Sequence, residues 1–239
     1  GKAPGGYQYY LQKSKVPFIF MNAAGLQGDL ETMIHEAGHA FHSMYCGHLE
    51  LIGERSYPIE FAEVASMSME LMTQNEWGEF YGSEEANRAR LGHLEGVIFL
   101  LPWIATIDSF QHWIYSNPNH SREERKDAWN SIRDRFGSVM DWEDYGNYRD
   151  TSWQQQGHLF GVPFYYVEYG IAQLGALQLW RTQRNDSEKA LTDYSNAMTL
   201  GNTRTLPELF SAADIELGFG KAHLSSLIDE VRMAMAELN

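Results

Sequence analysis

Cysteine is almost missing from this chain: Cys46 is the single thiol in 239 residues. One thiol excludes an intrachain disulfide and a multi-cysteine zinc cluster, and it fits a reducing cytoplasm. Cys46 itself reads as a small buried side chain rather than a nucleophile. Basic residues are also scarce, with 18 Lys and Arg against 32 Asp and Glu, for a net charge of −14. Such an acidic surface disfavours nucleic acid and anionic membrane as partners. Long apolar runs are lacking too. The most apolar stretch, Val97 to Ala105, is too short to span a bilayer and is interrupted by Pro102, so it reads as a buried, kinked helix. No signal-peptide pattern, internal repeat, low-complexity tract or Pro/Ser-rich linker is visible. The expectation is a cytoplasmic protein without membrane or nucleic-acid partners. A hydrophobic share of 44%, with 13% aromatic, supports a large core and argues against disorder.

Against this plain background stands His35-Glu36-Ala37-Gly38-His39. Histidines four residues apart on a helix are separated by about 40° of rotation. Both imidazoles therefore reach one metal ion, and neutral imidazole is a good zinc ligand. Glu36, beside the first histidine, is placed to take a proton from a water on that metal. The surrounding segment supports a helix, because Leu30, Ile34, Ala37 and Phe41 recur at spacings of three and four. Gly38 inside that helix costs about 1 kcal/mol relative to Ala, which points to a close neighbour or a ligand.

The rest of the chain reads as mostly helical. Residues 1–15 read as a loop, and Val16 to Asn22 as a short strand with Pro17 near its start. After the motif helix, ended near Gly47, a second helix is expected from Ile59 to Trp77. Ser83 to Tyr115 reads as helix broken at Pro102. Ser121 and Glu124 form a capping box for a helix through Phe136, and Thr205 and Glu208 form another. The stretch 138–156 reads as irregular, Pro163 to Arg184 as helix, and Lys221 to Leu238 as an amphipathic terminal helix.

A catalytic zinc keeps three protein ligands and an open position. Tyr45 occupies the position ten residues after His35 where the metzincin pattern needs a third histidine, so that pattern is absent. His42 lies too far along the helix to share the ion and takes a supporting or packing role. On the next helix Glu60, Glu63 and Glu70 share one face, amid Phe, Val, Met and Ala. Carboxylates on a largely apolar helix are costly unless paired or bound to metal, although a solvated acidic stripe has the same spacing.

Three blocks resemble the M3 family of zinc oligopeptidases. His35 to His42 resembles its H-E-x-G-H-x-x-H, and Phe61-Ala62-Glu63-Val64-Ala65-Ser66 is similar to its F-V-E-x-P-S, with Ala65 where the family often has proline. His158 to Gln173 resembles the family segment whose histidine and tyrosines face the metal. The opening Gly1-Lys2 with Gly5-Gly6-Tyr7 and the strand ending at Asn22 also look like the family's approach to the metal helix. Nothing is matched between about 80 and 150. The resemblance implies that His35, His39 and Glu63 bind one Zn²⁺, that Glu36 is the general base, and that Glu70 orients a zinc histidine. It further implies that His158, Tyr166 and Tyr169 donate to substrate and oxyanion, with Tyr165 as a competing register.

The fold so implied is mainly α, a zincin-like lobe with a small β element in a multi-helix bundle. Residues 1–239 would form one peptidase domain, part of a longer chain, acting as an endopeptidase on short peptides in a channel between helical lobes. Two rivals stand beside it. A zinc carboxypeptidase needs a basic group for the substrate carboxylate, and none is evident near the motif. A non-catalytic zinc- or peptide-binding protein has no use for a base at Glu36.

Overall fold

The computed structural model describes residues 5–137 and 140–238. Its described residues gather into two compact units, 5–94 with 171–238 and 95–170. The chain passes between them inside two helices.

In the first unit, β1 (Gly6–Leu11) and β2 (Val16–Met21) form an antiparallel ribbon with Tyr7 opposite Phe20 and Tyr9 opposite Phe18. Residues 6–11 are thus strand, where the glycine-rich start suggested loop. Alternation decides it: Gly6, Gln8 and Tyr10 turn inward while Tyr7, Tyr9 and Leu11 turn outward. Residues 1–4 of that expected loop lie outside the described residues. The ribbon packs on α1 (Gln27–Tyr45), the motif helix. Asp29 Oδ2 accepts the backbone N–H groups of Ala24, Gly25 and Leu26 at 2.7, 2.5 and 2.8 Å and so anchors the start of α1.

Helix α2 (Ile59–Met72) lies against α1 and buries nearly its whole length from Phe61 to Ser68. It stops five residues short of the expected Trp77 and gives way to a 3₁₀ segment, Gln74–Glu79. Arg90 takes the carbonyls of Gln74 and Asn75, at 2.7 and 3.1 Å, which a continuing α-helix would have used itself. Fully buried Trp77 holds the altered path.

Helix α3 (Ser83–Ser116) runs unbroken through Pro102, contrary to the expected break. A proline inside a helix costs roughly 3 kcal/mol. Burial of Ile104, Ile107 and Phe110 just beyond it outweighs that cost, because each contributes roughly 1.5–3 kcal/mol. The unbroken helix is, by length and composition alone, sufficient to cross a membrane, which the shorter run did not indicate. The expected burial of that run is partial: Val97 and Ile104 are buried, whereas Phe99 is 65% exposed.

In the second unit, α4 (Arg122–Phe136) starts at the expected capping box, with Ser121 and Glu124 bonding reciprocally. Ile107, Phe110 and Trp129 form the core of this unit. The stretch expected to be irregular contains α5 (Gly146–Thr151) and a 3₁₀ turn, Ser152–Gln155. Trp129 draws it in, donating its indole N–H to the Arg149 carbonyl at 2.8 Å. Ser138 and Val139 lie outside the described residues. A short α6 (His158–Gly161) precedes α7 (Tyr166–Asn185), which begins three residues later than expected.

Returning to the first unit, α8 (Ser187–Met198) escaped the sequence reading, although Asp186 caps it through the Lys189 N–H at 2.9 Å. Helices α9 (Leu206–Ala212) and α10 (Lys221–Leu238) stand where expected. The architecture is mainly α with one small ribbon beside the motif helix.

Candidate metal centre

The close approach of α1 to α2 begins with Gly38. A Cβ there would lie 2.6 Å from Ser66 Cα and 2.9 Å from the Ala65 carbonyl oxygen. Only a residue without a side chain lets the α2 backbone come this near. The glycine suspected from its helix cost thus has a close neighbour. Ser66 is one helical turn after Glu63, so the contact places Glu63 opposite the two histidines.

His35, His39 and Glu63 bring one ligand atom each to within 4.8 Å of one another. His35 Nε2 is 3.2 Å from His39 Nε2 and 3.3 Å from Glu63 Oε2, and His39 Nε2 is 3.7 Å from the same oxygen. Ligands about 2.0–2.2 Å from a tetrahedral ion are separated by roughly 3.3–3.6 Å. The observed triangle fits that spacing, and two imidazoles with one carboxylate suit zinc. Glu60, on the same face of α2, is not part of this group.

Two of these ligands are also held by neighbours. His35 Nδ1 lies 2.6 Å from Glu70 Oε1, the orienting contact implied for Glu70. Ser66 Oγ donates to Glu63 Oε2 at 3.0 Å. Burial opposes a positive charge on His35, but hydrogen bonds and charge from Glu63 and Glu70 outweigh it and raise its pKa to about 10. Burial lowers His39 to about 4, with Glu63 pulling the other way. The pocket therefore stabilises one positive charge beside two carboxylates, an environment suited to a cation.

Glu36 is buried next to this group, under β1. Burial raises its pKa above the ordinary value, while His35 and the Gln8 backbone amide partly oppose the rise. The shift moves a carboxylate toward the range useful for a general base. The role of Gln8 had no signal in the sequence, since a backbone donor carries no residue-type signature.

His42 does not join the ligands. It is fully buried and stacks on Tyr57 with ring centroids 3.5 Å apart, the packing alternative considered for it. Neither ring nitrogen has a hydrogen-bond partner, and burial, then the nearby His39, depresses its pKa to about 3. The folded value lies below the ordinary 6.5, so the unfolded chain binds this proton more readily. The stabilisation is complete above pH 6.5 and is lost as pH falls toward 3, up to roughly 5 kcal/mol. Comparing urea unfolding from pH 7 to 4 should show a shallower acid loss in His42→Phe than in the parent. Identical slopes would reject a neutral buried His42.

The other expected residues cluster in the second unit. His158 has ring centroids at 5.7, 5.0 and 5.7 Å from Tyr165, Tyr166 and Tyr169. Gln156 donates from Nε2 to His158 Nδ1 at 2.6 Å and accepts from the Trp103 indole at 3.1 Å. His158 therefore carries its proton on Nε2, and burial keeps the ring neutral by lowering its pKa. Because all three tyrosines surround His158, clustering alone favours neither tyrosine register.

The sequence model described as Peptidase family M3 matches residues 1–227. Oligoendopeptidase F, chromosomal, of Lactococcus lactis subsp. cremoris is 28% identical over 126 residues, which are 53% of this chain and 19% of that protein. The structure of PZ peptidase A with inhibitor 2 superposes with a TM-score of 0.91 at 33% identity, over 99% of this chain and 42% of the other. A protein described as an oligoendopeptidase F from Bacillus anthracis str. Ames gives 0.83 at 33% identity, over 99% and 39%. The chain thus spans about a fifth of the curated relative and about two fifths of these structures.

Proposed function

Since the chain belongs to peptidase family M3, we propose that it carries the catalytic centre of a zinc-dependent endopeptidase acting on short peptides. One observation carries this reading: three ligand atoms converge within 4.8 Å while Glu36 lies buried beside them. Zinc held by His35, His39 and Glu63 would supply Lewis acidity, lowering the pKa of a water from 15.7 toward about 7. Glu36 accepts the proton of the attacking water and returns it to the leaving amine. Glu70 holds the His35 ring. His158, Tyr166 and Tyr169, with Tyr165 as the competing register, take the donor roles toward the substrate carbonyl that the resemblance implies. The Nε2 proton on His158 supports such a role.

Metal analysis with a quenched-peptide assay tests this reading. About one zinc per chain and hydrolysis abolished by a chelator are expected, and chelator-insensitive hydrolysis would overturn the metal mechanism. Glu63→Ala should reduce bound metal below a tenth of the parent; unchanged content rejects Glu63 as ligand. Peptides blocked at both ends should be cleaved, whereas cleavage restricted to free C-termini would favour the carboxypeptidase alternative.

A further inference from the structure

The hydrogen-bonded chain behind His35 does not stop at Glu70. Glu70 Oε2 lies 2.9 Å from His93 Nε2, and Gln74 Nε2 lies 2.7 Å from His93 Nδ1. A carboxamide nitrogen only donates, so His93 Nδ1 accepts and the ring proton sits on Nε2, facing Glu70. Gln74 is itself fixed: its side chain is buried, and its backbone carbonyl takes the Arg90 Nε–H at 2.7 Å. Trp77 meets the His93 ring edge-on, with centroids 5.5 Å apart. The Glu70 carboxylate thus meets His93 Nε2 with one oxygen and His35 Nδ1 with the other.

We infer that His93 is a positioning residue of the metal centre: its Nε2–H fixes the Glu70 carboxylate, which aims the His35 Nε2 lone pair at the point shared with His39 and Glu63. Without that donor, Glu70 Oε2 is a largely buried carboxylate oxygen stripped of this partner. The carboxylate then gains by turning or by binding a proton, and either change loosens its hold on His35. Outer hydrogen bonds to ligating histidines commonly govern metal affinity by ten- to a hundredfold. This inference rests on the proposed metal site.

The test measures zinc affinity by chelator competition at fixed pH for the parent, His93→Phe, His93→Asn and His93→Gln, with the visible spectrum of the Co²⁺-loaded proteins. His93→Phe should weaken zinc binding by ten- to a hundredfold and alter the cobalt spectrum. His93→Asn, too short to reach Glu70, should behave similarly even if the phenylalanine variant fails to fold. His93→Gln, whose amide N–H can replace Nε2–H, should bind within threefold of the parent with its spectrum. Less than a threefold change in Phe and Asn, or a Gln variant as weak as they are, would overturn the role. A parent protein that binds no zinc would instead reject the metal site itself.

Discussion

Glu36→Gln should lower kcat for peptide hydrolysis by about 10²–10⁴-fold while leaving bound zinc unchanged. The two halves have separate causes. Glu36 contributes none of the three clustered ligand atoms, so metal content does not depend on it. Its carboxylate is nevertheless the proposed base, buried beside them with its pKa raised by burial. A glutamine keeps the shape, but it cannot take the proton. Because burial disfavours the charge on Glu36, the neutral side chain should leave the melting temperature unchanged or slightly raised. Lost activity could then not be ascribed to unfolding. Zinc-loaded Glu36→Gln retaining more than a tenth of the parent kcat would remove Glu36 from the mechanism.

The second large effect concerns Gly38. Helix propensity alone says that Gly38→Ala stabilises by about 1 kcal/mol. The tertiary structure gives the opposite sign. The added Cβ would meet Ser66 Cα at 2.6 Å, Ala65 O at 2.9 Å and Ser66 N at 3.0 Å, all backbone atoms that cannot rotate aside. Carbon atoms prefer about 3.5–4.0 Å, so α1 and α2 must separate. Overpacking of this kind costs roughly 1–3 kcal/mol, a fall of about 2–12 °C in melting temperature at this size. The same separation draws Glu63 away from His35 and His39, and zinc affinity should fall at least tenfold. Gly28 in the same helix supplies the control, because a Cβ there meets nothing within 4 Å. Gly28→Ala should therefore stabilise slightly and leave zinc binding intact. Equal behaviour of the two variants would reject the close helix contact as the determinant of the site.

These positions also show how far the sequence can be read. His35, Glu36 and His39 lie within one and a quarter helical turns, so their common side follows from helical periodicity without any tertiary information. The capping boxes at Ser121 and Thr205 were legible for the same reason, each being closed within four residues. The end of α2 was not legible, because it depends on Arg90 reaching the Gln74 and Asn75 carbonyls. Continuity through Pro102 was equally hidden, because the burial that outweighs the proline's cost is nonlocal.

The sequence by itself determined a histidine pair at metal-ligand spacing with a carboxylate beside it, on a helix in a mainly α chain with a small β element. Spacing left Glu60, Glu63 and Glu70 equivalent on one helical face, and family resemblance was needed to separate them. Only the tertiary structure sent Glu63 to both histidines, Glu70 to the back of His35, and His93 to Glu70. The physical reason is that a helix repeat specifies which side chains share a face, whereas ligand geometry requires atoms from different helices to meet within a few ångströms. Here that meeting depends on a missing Cβ at Gly38, which lets α2 come close enough to complete the site.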